Sequence, residues 1–510
     1  MNPTTAILLA GGKGTRFRTG RTDRDTIKVM LPVNDRPVLE WNLRILRDQM
    51  NIRSVIMIVG SHKEVIQEYF GDGRNFGLEI SYLESNPDSD LPTALMLAKD
   101  SVSGPFVLML GDEFYLNAGH DRIDMADFPS DMEALVTFAQ SNNPQEIEKN
   151  YTVHIDDDMR VAKLVEKPDH LETNCMGLGT FILRESIFDY LLDGASNPRT
   201  GRRELIDAIS DMAADKPVYA FELGKKYVNI NTVEDRYFAE YLFRSHIFPS
   251  IKKSLVIPCY NEAESLSFVL NDFQDSVDEI IVADGGSTDG SVAIVEAFQQ
   301  SCPKEVKLVQ AKFAGYGDAI RNGVKAASGE VVVVVEADAT FRSRDIHKIF
   351  EYLQDSDMVI GTRTTRQLIC QGANMLGWLR LGNVFAAKLV ELMWWFKGEP
   401  RFTDVGCTFR AFWKSAYDDI EHNFVGLGPE FSPEMMVEFV RNNKRVIEIP
   451  VSYFPRVGGD SKHSQSFFGI MKTAMRMLTL ILKKRFNLYP EPAPRSDPAA
   501  RKTSDIVEAE

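Results

Sequence analysis

Short apolar, β-branched runs alternate with stretches of helical period along the whole chain, which predicts an α/β protein. In the first half the runs fall at 6–9, 54–59, 79–82, 106–110 and 134–138. In the second half they fall at 254–257, 279–283, 307–310, 330–335 and 358–361. Every position from Val331 to Val335 is valine, so that strand is expected to be covered on both faces, as strands of parallel sheets are. Helical periodicity fills the intervals, for example at 39–50 and 266–273. The two halves look alike in architecture without matching motif for motif.

The pattern breaks near 246–252. A helical segment at 233–244 ends there, and Pro249, Lys252 and Lys253 precede a fresh strand. The expected division is a domain at 1–245, a second at 252–465, an amphipathic segment at 466–489 and a tail at 490–510. The tail is rich in Pro, Ala, Ser and charge without apolar period, the composition of a disordered segment.

Composition narrows the class. A chain of 510 residues with 44% hydrophobic content has material for more than one core. A net charge of −15 argues against nucleic acid as partner. The five cysteines are widely spaced and form no C-x-x-C pair, which speaks against a zinc site or a disulfide framework and for a reducing compartment. No basic-apolar leader precedes the first strand, and no run approaches the ~20 apolar residues of a spanning helix. A cytoplasmic protein is expected. The oligomeric state, including a homo-oligomer, is left open.

The chemistry starts where the first run ends in Gly11-Gly12-Lys13-Gly14-Thr15-Arg16. Glycines after a strand let backbone N–H groups approach phosphate oxygens, and Lys13 and Arg16 add positive charge. Neither G-x-G-x-x-G nor G-x-x-x-x-G-K-[ST] is present, which disfavours a dinucleotide or P-loop site. Further blocks are Lys28-Val29-Met30-Leu31-Pro32-Val33, Arg36-Pro37-Val38-Leu39, Tyr69-Phe70-Gly71-Asp72-Gly73, Leu110-Gly111-Asp112, Val165-Glu166-Lys167-Pro168 and Tyr227-Val228-Asn229-Ile230-Asn231-Thr232. In this order they resemble the sugar-phosphate nucleotidylyltransferases over residues 4–240.

That resemblance implies in-line attack of a sugar 1-phosphate on the α-phosphorus of a nucleoside triphosphate. Gly11, Gly12, Gly14 and Thr15 would bind the nucleotide, and Arg16 and Lys28 would neutralise it. Asp112 and Asn229 would hold Mg²⁺, with Glu166 and Lys167 addressing the sugar phosphate. Three departures leave the base and the sugar open. Ile27 replaces the usual proline, the loop between Arg16 and Lys28 is lengthened, and Leu91-Pro92-Thr93-Ala94 stands where relatives carry a Gly-Thr-Ala turn. The Asn229–Thr232 block is also similar to cytidylyltransferases acting on non-sugar phosphates.

In the second half Pro258, Tyr260, Asn261 and Glu262 follow one strand, and Asp284-Gly285-Gly286-Ser287-Thr288-Asp289 follows the next. Glu336-Ala337-Asp338 ends the valine run, and alternation is expected to aim both carboxylates the same way. Farther on come Asp404-Val405-Gly406-Cys407, Gly428-Pro429-Glu430-Phe431 and Arg456-Val457-Gly458-Gly459-Asp460-Ser461-Lys462. Residues 252–465 resemble glycosyltransferase family 2, most nearly its polyprenyl-phosphate branch (dolichol-phosphate mannose synthase-like).

By that resemblance Pro258, Tyr260, Glu262, Asp284 and Asp289 line the nucleotide pocket. Glu336 and Asp338 would hold Mg²⁺ or Mn²⁺, and Arg456 and Lys462 would act on the phosphates. An acceptor that is already an anionic lipid phosphate needs no strong general base, in keeping with the absence of an obvious catalytic histidine.

The 466–486 segment reads as a basic amphipathic helix. Phe467, Ile470, Met471, Ala474, Leu478, Ile481 and Leu482 form an apolar stripe, and Lys472, Arg476 and Lys483 share another face with no acid in the segment. It is expected either to lie on an anionic membrane surface or to pack on the domain. Trp378, Trp394, Trp395 and Phe396 flank a second apolar stretch at 384–393, which reads as an interfacial anchor or as core.

Taken together, the expected architecture is α/β with two Rossmann-like domains of mixed, mostly parallel sheets: a nucleotidylyltransferase fold followed by a GT-A glycosyltransferase fold. The expected function is bifunctional, making a nucleotide sugar and then passing the sugar to a polyprenyl phosphate or related acceptor. The competing expectations are a soluble or polymer acceptor, an inactive regulatory first domain, and a first domain acting on a non-sugar phosphate.

Overall fold

The computed structural model describes residues 3–11, 27–86, 89–194, 197, 201–311, 315–373, 377–458 and 467–488. The chain forms two compact units, Met1–His246 and Ile247–Glu510.

In the first unit four strands lie parallel in the spatial order Glu79–Glu84, Ser54–Val59, Thr5–Ala10, Phe106–Leu110. Cys175–Leu183 then runs antiparallel to Phe106–Leu110. Beyond it lie the antiparallel pair Tyr151–Ile155 and Val161–Glu166 on one path, and Ala134–Gln140 with Val218–Glu222 on another. Alternation splits the core between the two faces of the sheet. Ala6, Leu8 and Ala10 join one apolar cluster, and Ile7 joins the other.

The second unit repeats the plan. Glu305–Gln310, Glu279–Asp284, Lys253–Cys259 and Val331–Val334 are parallel in that order, and Arg410–Trp413 follows antiparallel. Met358–Thr362 and Val446–Pro450 complete the sheet. In both units the first strand is flanked by the second on one side and the fourth on the other. In the first unit the helix after the first strand packs on one face, through Leu39 and Leu43, and the helical stretch leading into the fourth strand packs on the other, through Leu95 and Ala98, so a crevice opens at the carboxyl ends of these two strands.

Two expected elements differ. The helix expected at 39–50 is an α-helix only over Val38–Arg44, followed by a π turn at Ile45–Gln49. The wider turn keeps Ile45 and Leu46 buried before the chain reaches the buried Ile52. The valine run ends as a strand at Val334, with Val335 N making the last bond to the neighbouring strand, onto Val256 O at 3.2 Å.

The C-terminal helix, Phe467–Arg485, packs beside helices Gly377–Trp394 and Phe431–Arg441. The side chains of Trp378, Phe467 and Ile470 are outside those described. The basic residues of this helix are not all turned to solvent, contrary to the sequence pattern. Lys484 is buried, its Nζ 2.8 Å from Glu434 and 2.9 Å from Glu438, and Arg476 pairs with Glu430 at 2.9 Å. The opposing acids come from another segment, which the helix's own periodicity cannot register. Among the described residues no helix is long and apolar enough to cross a membrane.

Candidate functional site

In the first unit two glycines let the strand ends close on one another. A Cβ on Gly60 would lie 2.5 Å from Gly11 O, and one on Gly111 would lie 2.5 Å from Leu9 O. Asp112 follows directly. The ribbon of Glu113–Tyr115 with Tyr227–Asn229 sets Asn229 opposite Glu113, and Ile230 N donates to Asp112 O at 3.0 Å. The two expected metal ligands are thus neighbours across the ribbon, although the chain separates them widely.

Lys28 reaches the same point from a 3-10 turn anchored by the buried Val29. Its Nζ donates to Asp112 Oδ2 at 2.5 Å and to Asn231 Oδ1 at 2.8 Å. Asn231 Nδ2 donates to Asn229 Oδ1 at 2.9 Å, and Asn229 Nδ2 to Asn150 Oδ1 at 3.4 Å. Asn150 O accepts from Lys167 N at 2.8 Å. Lys167 sits at φ +45°, with its Nζ 3.0 Å from Glu166 Oε1. Burial pushes the Glu166 carboxyl above its usual range, and Lys167 partly offsets that.

Lys28, Asp112, Asn229, Glu166 and Lys167 therefore belong to one hydrogen-bonded network, with Asn150 and Asn231 as its links. Gly12, Lys13, Gly14, Thr15 and Arg16 lie outside the described residues.

Beneath this network lies a polar cluster that the sequence did not single out. Glu113 is buried and accepts from Tyr115 Oη, from Tyr227 Oη at 2.9 Å and from Gly179 N at 2.8 Å. Gly179 has to be glycine here, since a Cβ would stand 2.5 Å from Glu113 Oε2. Burial, with Asp112 adding its charge, pushes the Glu113 carboxyl up to about 7. His120 completes the cluster, with its ring edge-on to Tyr115 and its Nε2 3.2 Å from Thr180 Oγ1.

In the second unit the two strand-end motifs are laced together. Asn261 N donates to Ser287 Oγ at 2.8 Å, and Asn261 Oδ1 accepts from Thr288 N at 2.8 Å. Glu262 N donates to Ser291 Oγ at 3.0 Å. Asp289 fastens the turn, taking Ala263 N at 2.9 Å on one oxygen and Ser291 Oγ at 2.6 Å on the other. Asp284, buried at the end of its strand, accepts from Gly286 N at 2.9 Å and from Ser287 N. Pro258 lies in the first strand opposite Ala283, and Tyr260 stands exposed beyond it.

Arg456 joins this side to the fourth strand. Its guanidinium contacts Glu262 and lies 3.7 Å from Asp338 Oδ2, while Val457 N donates to Asp338 O at 3.2 Å. Because the strand stops at Val334, a turn rather than strand alternation brings Glu336 and Asp338 into position, which corrects the expected reason for their pairing. Asp338 Oδ1 is held by Thr340 N and Oγ1 at 3.1 and 2.7 Å.

Glu336 is pushed above the usual carboxylate range by burial and then by the Asp338 charge, with Arg363 and Arg456 opposing. Arg363 also forms a buried pair with Asp404, at 2.8 and 2.9 Å. Lys462 lies outside the described residues.

Both crevices present hard oxygen donors of the kind that magnesium-like ions take. In the first they are the carboxylate of Asp112 and the amide oxygen of Asn229. In the second they are Glu336 and Asp338, where two adjacent carboxylates leave an unmet demand for positive charge. No cluster of three or more His, Cys, Asp or Glu suited to a metal occurs among the described residues. With two protein side chains each, these donor sets fit an ion that takes the rest of its shell from phosphate and water.

Residues 5–237 match the nucleotidyl transferase family, and residues 254–420 match glycosyl transferase family 2. Over 212 residues the chain is 32% identical to the low-salt glycan biosynthesis nucleotidyltransferase Agl11 of Haloferax volcanii, covering 41% of this chain and 57% of that protein. It is 30% identical over 246 residues to a UTP–glucose-1-phosphate uridylyltransferase of Synechocystis sp., covering 45% and 61%. It is 28% identical over 208 residues to the glycosyltransferase AglJ of Haloferax volcanii, covering 40% and 64%. The chain spans less than two thirds of the length of each of these relatives. It carries a nucleotidyl transferase domain followed by a glycosyl transferase family 2 domain in one polypeptide.

Proposed function

We propose that the protein is a bifunctional transferase that makes a nucleotide sugar in its first unit and transfers the sugar in its second. The observation that carries the reading is the recurrence of one arrangement. In each unit an acidic residue just beyond the fourth strand faces a cation, Lys28 on Asp112 and Arg456 on Asp338.

In the first unit both reactants are anions, so catalysis consists chiefly of neutralising and aligning them. Lys28 and Arg16 supply positive charge at the reacting phosphates, and Gly11, Gly12, Gly14 and Thr15 let the nucleotide approach the backbone. Glu166 and Lys167 address the sugar phosphate. A phosphate oxygen of the sugar 1-phosphate forms the new bond to the α-phosphorus as pyrophosphate leaves. Asp112 and Asn229 would hold Mg²⁺, which screens the triphosphate when bound.

In the second unit Tyr260, Glu262, Pro258, Asp284 and Asp289 shape the nucleotide pocket. Arg456 and Lys462 bear on the departing nucleoside diphosphate. Glu336 and Asp338 would hold Mg²⁺ or Mn²⁺. The acceptor in this reading is a polyprenyl phosphate or a related anionic phosphate, reached at a membrane surface.

Exposed Leu381, Phe385, Leu392, Phe396, Leu482 and Phe486 support the membrane part of the reading. Arg485 lies over the Phe396 ring at 5.4 Å, and Arg401 over Trp395 at 4.8 Å. Apolar side chains rimmed by cations suit an anionic bilayer surface. Of the expected aromatic anchor, Trp395 and Phe396 are exposed, whereas Trp394 is core.

Incubating the protein with each nucleoside triphosphate and a panel of sugar 1-phosphates, followed by mass detection of a nucleotide sugar, tests the first step and names its substrates. Absence of pyrophosphate release with every pair would refute it. The product, offered with a polyprenyl phosphate in anionic vesicles and with soluble sugars, tests the second step.

A further inference from the structure

We propose that the C-terminal helix Phe467–Arg485 is a working wall of the sugar-transfer site, and that Lys484 is the positioning residue that holds it there. This rests on the reading of the second unit as a sugar transferase. The helix lies beyond the stretch that matches glycosyl transferase family 2.

Lys484 is 3% exposed and sits between two fully buried carboxylates one helical turn apart, Glu434 at 2.8 Å and Glu438 at 2.9 Å. Its Nζ also donates to Asn423 O at 2.5 Å. Burying three charges to dock a helix is a poor route to stability, because apolar side chains of similar volume serve as well or better. What the ionic contact adds is direction: an ammonium with three fixed acceptors permits one register.

That register is passed on. Glu434 accepts from Val425 N at 2.8 Å and from Gly426 N at 2.7 Å, so the carboxylate held by Lys484 also holds the loop at 425–428. On the loop's other side, Leu427 O accepts from Gly317 N at 2.8 Å and from Asp318 N at 3.3 Å. The approach is close enough to demand glycine twice. A Cβ on Gly315 would lie 2.3 Å from Leu427 O, and one on Gly317 would lie 2.7 Å from Gly426 O. The turn opens helix Tyr316–Ala326, which packs on the strands Lys253–Cys259 and Glu279–Asp284, where a Cβ on Gly323 would lie 2.4 Å from Val256.

The chain of contacts thus runs from Lys484 through Glu434 and the loop to the turn that opens the helix packed on the strands of the second crevice. Helix and loop also line a cavity of about 420 Å³, with Val425, Gly426 and Glu430 facing Lys472, Met475 and Arg476. With Arg476 paired to Glu430, Lys472 leaves the lining net positive, which suits an anionic acceptor entering beside that turn.

The test uses full-length Lys484→Ala, Lys484→Arg and Glu434→Gln proteins. Glu434→Gln guards against failure of the alanine variant to fold, since it buries no unpaired charge on the helix 431–441 side yet weakens the grip on the loop. Hydrogen exchange should accelerate about tenfold or more at 425–426 and also at 317–318 in the alanine and glutamine variants. Amides of the strand Thr5–Ala10 should keep their rates.

Sugar transfer should lose about a hundredfold in kcat, the order expected when a reacting group is misplaced by about 1 Å. The KM for the nucleotide sugar and the nucleotidyl transfer should be unchanged, and arginine at 484 should retain most of the activity. Faster exchange at 425–426 with unchanged exchange at 317–318 overturns the proposal, as does wild-type transfer by the alanine variant. If the wild type transfers no sugar at all, the functional reading fails, and the exchange pattern still decides whether the helix governs the turn.

Discussion

The buried His120 should make the first unit lose stability in mild acid. The ring is 1% exposed, its Nδ1 has no hydrogen-bond partner among the described residues, and its Nε2 meets only Thr180 Oγ1. Burial pushes the imidazolium down from 6.5 to about 3. A folded pKa below the unfolded one means that the unfolded chain binds the proton first. Stability is therefore full above pH 6.5 and falls as the pH drops toward 3.

With those two values the loss is about 2 kcal/mol between pH 7 and pH 5, and about 3 kcal/mol by pH 4. Glu113 acts in the opposite sense, because its raised pKa favours the folded state as the pH falls from about 7 toward 4.5. The profile of the wild type alone is thus a sum of opposing effects.

The decisive quantity is a double difference: urea unfolding of full-length wild type and His120→Gln, each at pH 7 and pH 5. Glutamine keeps a donor for Thr180 and carries no titrating group. The transition belonging to the first unit should lose about 2 kcal/mol more in the wild type than in the variant. Equal losses in the two proteins would refute the reasoning, because they would mean that water or a rearrangement reaches the ring before it is protonated.

The remaining expectations concern activity. Asp112→Ala should abolish nucleotide-sugar synthesis and leave transfer from a supplied donor intact, and Asp338→Ala should do the reverse; loss of both activities from either change, with the fold kept by circular dichroism, would point to one composite site. Lys28→Ala should lower nucleotidyl-transfer turnover by about a hundredfold, the usual cost of one preorganised electrostatic contact, and unchanged turnover would place Lys28 outside the reaction. The protein should bind anionic vesicles in sedimentation assays at low salt and largely leave them at 1 M, where the Debye length is ~3 Å. Phe385→Ser and Phe396→Ser should each weaken that binding about tenfold, and full binding by both variants would locate the contact elsewhere.

The parallel strands were legible because burial on both faces writes them as unbroken apolar runs. The antiparallel ones were harder. Gly177 and Gly179 interrupt Cys175–Leu183, where Tyr151 and Glu113 need the space a Cβ would fill. Arg410–Trp413 opens on an arginine that the sequence gives no reason to bury, yet its guanidinium bonds Ser432 O at 2.9 Å inside the core. An edge strand was harder too: Val446–Pro450 is parallel to its one neighbour, Met358–Thr362, and carries Glu448, which turns to the backbone of Thr403 and Asp404.

The site shows the same division. Lys28, Asp112, Asn229, Glu166 and Lys167 each stand in a motif, and the fold brings them into one network. Glu113 and Asn150 stand in no motif, and they matter only through partners from distant strands. The partners of Arg476 and Lys484 escape notice for the related reason that a helix's own periodicity reports its face but not the acids that another segment brings to it.

The two crevices share more than topology. In each, a carboxylate just beyond the fourth strand is met by a cation drawn from far along the chain. A carboxylate at the bottom of a crevice pays for desolvation, and an unpaired one would answer by taking up a proton, the direction in which Glu336 is already pushed. Lys28 lies on Asp112, and Arg456 lies 3.7 Å from Asp338. The same cations lie where phosphate must arrive.

Lys28 has a second, neutral acceptor in Asn231, so it can give up Asp112 to another positive charge without being cast loose. Arg456 has a second acidic partner in Glu262 and can do likewise. An arrangement in which each cation has a partner outside the reacting carboxylate is therefore suited to exchange partners as anionic substrates enter. If so, substituting Asn231 or Glu262 should raise the substrate KM of its own unit and leave the other unit unaffected. A variant whose effect fell wholly on kcat would show instead that these second acceptors act after binding.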